Sequence, residues 1–160
     1  MLVMNDLAIA RAVHVLAVVI WIGGVGMVTT VILPMVRRAR TPPEGQALLE
    51  AVERRFICQA RIATLLVAGS GFYMVERLDL WGRFRNIDFW WMHAMVILWL
   101  IFTFVLFIGE PLAARRNHSS QLASKGGLSF MQWLHWVLLL LSAITVLAAV
   151  AGSQGMSLVP

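Results

Sequence analysis

The stretch AVHVLAVVIWIGGVGMVTTVILP, residues 12–34, decides the fold class of this chain because it is long and almost wholly apolar. Its one ionisable side chain is that of His14. A helix of about 20 apolar residues crosses the ~30 Å hydrocarbon layer of a bilayer, so the stretch predicts a transmembrane helix. Three other runs have the same character: residues 56–75, 89–109 and 128–151. We therefore expect an all-α integral membrane protein, an up-down bundle of four transmembrane helices in a single membrane domain covering residues 1–160.

The composition supports this class and excludes others. Of the 160 residues, 60% are apolar and 13% are charged, against about 25% charged in an ordinary soluble domain. Disordered chains are poor in apolar residues, so disorder is excluded. The single cysteine, Cys58, excludes an internal disulfide framework. The net charge of +5 comes mainly from short segments between apolar runs, which indicates membrane orientation rather than affinity for nucleic acid.

The basic residues also predict the orientation of the bundle. The first and third connections lie on one side of the membrane and hold eight Lys and Arg, whereas the N-terminal tail and the second connection hold four. The eight are Arg37, Arg38, Arg40, Arg54, Arg55, Arg115, Arg116 and Lys125, and the four are Arg11, Arg77, Arg83 and Arg85. Because cytoplasmic loops are enriched in Lys and Arg, both termini are expected outside, on the periplasmic side of a bacterial-type inner membrane.

Tryptophans are expected to mark the two membrane interfaces. Trp81, Trp90 and Trp91 cluster near one predicted boundary, and Trp133 and Trp136 lie near the other. Amphipathic indole rings concentrate at the headgroup level, so these residues predict an aromatic belt at each interface.

Four ionisable side chains within the predicted spans are the candidates for function: His14, Arg61, His93 and His135. Such groups are costly in a membrane, and their presence is a functional hypothesis by default. At 1.5 Å per residue, His14 and His93 lie roughly 3–6 Å from the outer boundary and are nearly level. His135 lies roughly 10 Å from the inner boundary, close to the depth of Arg61.

Two level histidines on parallel helices match the requirement of a six-coordinate haem, whose iron takes one imidazole on each side of the porphyrin. Spans one and three face each other diagonally in an up-down bundle, so a ligand between them fills the centre. We therefore expect haem b between His14 and His93. Interfacial packing and another metal remain open for this pair.

Other residues could complete the site. Arg11 could reach haem propionates at the outer surface, and an inward Arg61 could pair with a propionate or other anion. Trp21 and Trp99 fall near mid-span, where a ring packs in the core or contacts a planar ligand. His135 is a further ligand candidate, and a second haem stays open. None of the other groups near its depth is a convincing partner: Met35, Cys58, His118 and Met131.

Three short motifs in this sequence are similar to motifs of a known protein family. Residues 11–24 read RAVHVLAVVIWIGG, in which His14 precedes a Trp-x-Gly-Gly element by seven residues, and Leu-Pro follows at 33–34. Residues 52–56 read VERRF, and residues 91–95 read WMHAM. These motifs resemble those of the HemJ-type protoporphyrinogen oxidases and the wider CopD-like membrane proteins. The resemblance implies a four-helix membrane bundle with b-type haem, and it assigns the family's histidines to His14 and His93.

Two departures from the family pattern bear on the activity. The family's lysine falls on Met95, and the polar entry of the last helix is replaced by QWLH at residues 132–135. The family residues thought to handle the porphyrinogen are therefore missing, whereas the haem-binding histidines are present.

The expected function is that of a membrane b-type cytochrome that exchanges electrons with a quinone or a partner protein. A copper-handling CopD-like protein is an alternative, since the nine methionines offer soft ligands for Cu(I). Two further alternatives are a HemJ-like oxidase and a cofactor-free subunit of a larger complex. The lipid bilayer is the one certain partner, nucleic acid is not expected, and oligomerisation stays open.

Overall fold

The apolar stretches form long helices joined by short connections, and two of these helices extend well beyond their apolar runs. The computed structural model describes residues 2–39, 41–109, 111–112 and 125–154, and every regular element within those ranges is helical. In chain order the elements are α1 (Leu2–Met27), a π-helical segment (Val28–Ile32), α2 (Leu33–Arg38), α3 (Pro42–Arg77), two 3-10 turns (Leu80–Arg85 and Ile87–Phe89), α4 (Trp90–Phe104), a second π-helical segment (Val105–Gly109) and α5 (Lys125–Ser153).

Among the described residues, four helices are long and apolar enough to cross a membrane, which confirms the prediction of four long apolar helices. They are Asn5–Arg38, Pro43–Arg77, Ile87–Gly109 and Ser129–Ser153. The first two contain 34 and 35 residues, about 50 Å at 1.5 Å per residue. They are therefore longer than the ~30 Å hydrocarbon layer requires.

The extra length forms a helical hairpin at one end of the bundle. Span two was predicted to begin near residue 56, but α3 begins at Pro42, because proline is tolerated in the first turn of a helix, where its missing N–H is not needed. Leu49 of α3 packs with Leu33 and Val36 in a buried cluster. We call this end of the molecule the hairpin end and the opposite end, which carries His14 and His93, the histidine end.

The helices surround the core in the order α1, α3, α4, α5, and α5 closes the ring against α1. His14 meets Val67, whereas Gly24 meets Phe56, so α1 and α3 run in opposite directions. The diagonal pair α1 and α4 meets at the centre, where the rings of Trp21 and Phe102 pack edge to face with centroids 4.9 Å apart. The up-down arrangement follows from these contacts.

Side-chain contacts also give the relative heights of the helices. Trp21 of α1 meets Phe102 of α4, and their residue numbers differ by 81. Since α1 and α4 run in the same direction, any residue of α4 lies at about the height of the α1 residue numbered 81 lower. Trp90 therefore lies level with residue 9. An added Cβ on Gly26 would lie 3.8 Å from Leu139, which places Trp133 of α5 level with residue 32. The two tryptophans are thus about 35 Å apart in height. This separation suits aromatic belts on either side of a ~30 Å core.

A neighbouring pair of glycines tests the packing of α1 against α3. An added Cβ on Gly24 would overlap the Phe56 ring, whereas Gly23 faces open space. We expect Gly24→Ala to lower the free energy of unfolding by about 1–3 kcal/mol, as overpacking does. The matched Gly23→Ala should be neutral or slightly stabilising. Denaturant titration in mixed micelles measures both, and equal effects at the two positions would contradict this packing.

Candidate functional site

His14 is held against α3 at the histidine end. Its Nδ1 lies 3.1 Å from the carbonyl oxygen of Val67 and 3.1 Å from Oγ of Ser70. A carbonyl only accepts hydrogen bonds, so Nδ1 carries the ring hydrogen and Nε2 keeps its lone pair. Gly71 lies against the ring, where an added Cβ would be 3.3 Å from Cε1. The imidazole is therefore oriented from one side and has one nitrogen available to a ligand.

The position of His14 along α1 places it on the inward face of that helix. Ala10, Ala17 and Trp21 are buried, and His14 falls between them at the three- and four-residue steps of one helical face. Arg11 lies one position away from this series on the exposed side of the helix. The predicted haem neighbour Trp21 is thus in the core, whereas Arg11 is available near the end of the bundle.

His93 does not face His14 across the bundle, as expected of a haem ligand, but contacts the connection before its own helix. Its Nε2 donates to the carbonyl oxygen of Phe84 at 3.0 Å, and its ring packs edge to face on the Phe84 ring at 5.6 Å. Phe84 belongs to the 3-10 turn that precedes α4. His93 therefore ties this connection to the start of its own helix.

The helical phase explains why His93 turns toward the connection. His93 precedes Phe102 by nine residues, which is two and a half turns of an α-helix, so the two side chains lie on opposite faces. Phe102 faces α1. Ile97, Leu100 and Phe104, which share the face of His93, are 56%, 52% and 60% exposed. His93 thus lies at the start of a helix face that is exposed on the outside of the bundle.

His14 and His93 are close in height but are not brought together. The register of α1 against α4 places His93 level with residue 12, about 3 Å from the height of His14. Within the described ranges, no hydrogen bond or ring contact joins the two imidazoles. Sequence position alone therefore predicts that the two residues are nearly level, whereas the facing of each ring depends on the packing.

Arg61 binds the π-helical segment that follows α4, and it faces no anion among the described residues. Its Nε and Nη2 both donate to the carbonyl oxygen of Leu106, at 3.0 and 2.8 Å, and its guanidinium lies 5.6 Å from the Phe107 ring centroid. In the i to i+5 pattern of a π-helical segment, the partner of this carbonyl would be Pro111, which has no N–H. Arg61 donates two hydrogen bonds to this carbonyl.

The remaining predicted site residues lie at other places in the bundle. Trp99 donates from Nε1 to the carbonyl oxygen of Thr64 at 3.0 Å, a structural bond between α4 and α3. His135 donates from Nδ1 to the carbonyl oxygen of Met131, one turn back on its own helix, at 2.9 Å. Trp21 differs from both, because its buried Nε1 has no hydrogen-bond partner within the part of the chain that the structure describes.

Among the residues that the structure describes, no second set of metal ligands surrounds His135. Cys58 and Met35 are exposed, and His118 lies outside the described residues. Across the described ranges, no group of three or more His, Cys, Asp or Glu side chains is placed to hold a metal ion.

Ser70 and Gly71 are the contacts of His14 that the sequence alone did not identify as part of a site. Gly71 belongs to a run of small residues that suggests close helix packing, but nothing in the run indicates which partner side chain fills the space. The approach of α1 to α3 decides this, and it sets both residues against the imidazole.

Comparison with known proteins returned no match to a family model, to a curated protein or to a solved structure.

The bond between Arg61 and Leu106 gives a prediction about stability. Replacing Arg61 with Met keeps much of the side-chain volume but removes both of its hydrogen bonds to a part-buried carbonyl, which costs about 1–3 kcal/mol. Arg54→Met, two turns earlier on the exposed surface of α3, should change the unfolding free energy by less than about 0.5 kcal/mol. Denaturant titration compares them, and a silent Arg61→Met would show that the bond contributes nothing.

Proposed function

We propose that this chain is an integral membrane haem protein of the b type that exchanges single electrons with a quinone or a redox partner protein. In this proposal the haem lies between α1 and α4 at the histidine end, and His14 is an axial ligand. The observation that carries the proposal is the hydrogen bond from Nδ1 of His14 to the carbonyl oxygen of Val67.

This hydrogen bond is the arrangement expected of a ligating histidine. A metal-bound imidazole almost always donates its second ring N–H to a carbonyl, a carboxylate or water, which sets the tautomer and the ring orientation. In His14 the donor nitrogen is Nδ1, so Nε2 remains for the metal. The residues around this imidazole therefore fit one side of a haem.

The surroundings of His14 also suit a bound porphyrin. Ala17 and Val67 are buried apolar residues beside it, and a dry environment is one of the levers by which a protein sets the potential of haem iron. Trp21 lies two turns deeper and presents an unpartnered buried N–H. Arg11, exposed near the end of the bundle, can bind a propionate. Bound haem supplies one-electron chemistry, while these side chains hold it and exclude water.

His93, the ligand expected opposite His14, does not fit that role in the observed arrangement. Its Nε2 donates to the carbonyl oxygen of Phe84, so Nδ1 keeps a lone pair, but its face of α4 turns away from α1. Ligation by His93 would require the imidazole to break this bond and move to the other side of the helix. His14 is therefore the ligand on which the proposal rests.

The charge at the hairpin end supports the proposed orientation. Arg37, Arg38, Arg54 and Arg55 are exposed there, on α2 and the first half of α3. Because cytoplasmic segments are rich in Lys and Arg, the hairpin end is proposed to face the cytoplasm. The histidine end and both chain termini then lie on the periplasmic side of a bacterial-type inner membrane.

A copper-binding protein is the second candidate. The available Nε2 of His14 is a ligand that copper accepts, and the thioethers of Met92 and Met95 lie on α4 near the same height. A porphyrinogen oxidase is less well supported, because Met95 stands where the resembling family has a lysine and carries no charge to bind an acidic porphyrin.

Haem uptake is the direct test of this proposal. Purified protein should bind haem with a low-spin absorption spectrum, and pyridine haemochrome quantification should give about one haem per chain. His14→Ala should lose this haem, whereas His135→Ala should keep the haem held by His14. Protein that takes up no haem when haem is supplied would contradict the proposal, and stoichiometric copper without iron would support the second candidate.

Gly71 gives a test that leaves the ligand itself unchanged. A side chain at residue 71 would press on the His14 ring, so Gly71→Leu should weaken haem binding about tenfold or more, as changes to the supporting contacts of a metal ligand do. Gly69 has no atom within 4 Å of an added Cβ, so Gly69→Leu is the matched control. Haem titration measures both dissociation constants, and equal constants would argue against His14 as the ligand.

A further inference from the structure

We infer that Met95, rather than His93, supplies the second axial ligand, opposite His14. The inference rests on the proposed haem-binding function and names the side chain that completes its site. Three observations carry it: the matched positions of His14 and Met95 on two parallel helices, the inward face of Met95, and the engagement of His93 elsewhere.

The central aromatic contact sets the register of the two helices. Trp21 of α1 and Phe102 of α4 point at each other across the bundle, with ring centroids 4.9 Å apart. His14 precedes Trp21 by seven residues, and Met95 precedes Phe102 by seven. Seven residues are close to two full turns, so both side chains return to the faces of the contacting rings at a height about 10 Å nearer the histidine end. His14 and Met95 therefore occupy corresponding positions.

The burial pattern of α4 agrees with this placement. Leu98, Phe102 and Leu106 are buried and follow Met95 along one face at steps of three and four residues. Met95 itself is half-buried and packs against the cluster that contains Trp91. Its side chain is thus on the core side of the helix, whereas the face that begins with His93 is exposed.

The chemistry of the two candidates points the same way. The thioether of Met95 is a weak acceptor that gives up no strong hydrogen bond on ligation, and its three rotatable bonds let the sulfur adjust to the iron. His93 would lose its bond to the carbonyl oxygen of Phe84 and leave that acceptor without its donor. Methionine opposite histidine is an established haem ligation, and it raises the reduction potential.

The experiment uses the full-length, haem-loaded protein and reads the ligands spectroscopically. We expect the oxidised protein to show a thioether-to-iron charge-transfer band and a low-spin iron. Met95→Leu should lose this band and become high-spin while it keeps haem through His14. Met95→His should stay low-spin without the band, and its reduction potential should be lower than that of the unchanged protein.

Matched variants separate a ligand from a packing residue. Met92→Leu, one turn away on the same helix, should retain the band and the potential, as should His93→Ala. A low-spin spectrum and unchanged potential in Met95→Leu, or conversion of His93→Ala to high-spin, would overturn the assignment to Met95 while haem binding stands. Absence of haem from the unchanged protein would remove both this assignment and the proposed function.

Discussion

A bilayer core holds no water, and this constraint accounts for the hydrogen-bond partners of several polar side chains in the four apolar helices. A buried donor without an acceptor is costly there, and backbone carbonyls are the acceptors at hand. The side chains accordingly bind carbonyl oxygens: His14 that of Val67, His93 that of Phe84, Trp99 that of Thr64, Arg61 that of Leu106 and His135 that of Met131. The bonds of His14, Trp99 and Arg61 join one helix of the bundle to another, and those of the three histidines orient the imidazoles.

The two π-helical segments show the same constraint acting on the main chain. Val28–Ile32 comes just before Pro34, and Val105–Gly109 just before Pro111. Proline has no N–H, so each proline removes a donor that the preceding turn would use. In the second segment the carbonyl of Leu106 is bonded by Arg61 instead. A costly intramembrane charge thus has a structural role in the arrangement seen here.

The proposed site follows from how closely α1 approaches its neighbours. Small residues let the His14 ring rest on α3 beside Gly71, and the Trp21–Phe102 contact sets the height of α4. These two contacts leave Nε2 of His14 available and turn Met95 toward the core. The same rotation of α4 turns His93 to the connection, where it joins Phe84 to the helix. One helix orientation therefore separates the inward position of Met95 from the anchoring position of His93, only two residues away.

The amino-acid sequence alone determined the four long apolar helices and the near-equal heights of His14 and His93, because helix length and rise convert residue counts into distances along a bundle. It did not determine that α3 begins at Pro42, nor which way His93 faces. Spans that are apolar all round carry no stripe that distinguishes core from lipid, since lipid tails are as apolar as the core. Only the tertiary structure, through contacts such as Trp21 with Phe102 and His14 with Val67, decided the rotation of each helix and so which side chains meet.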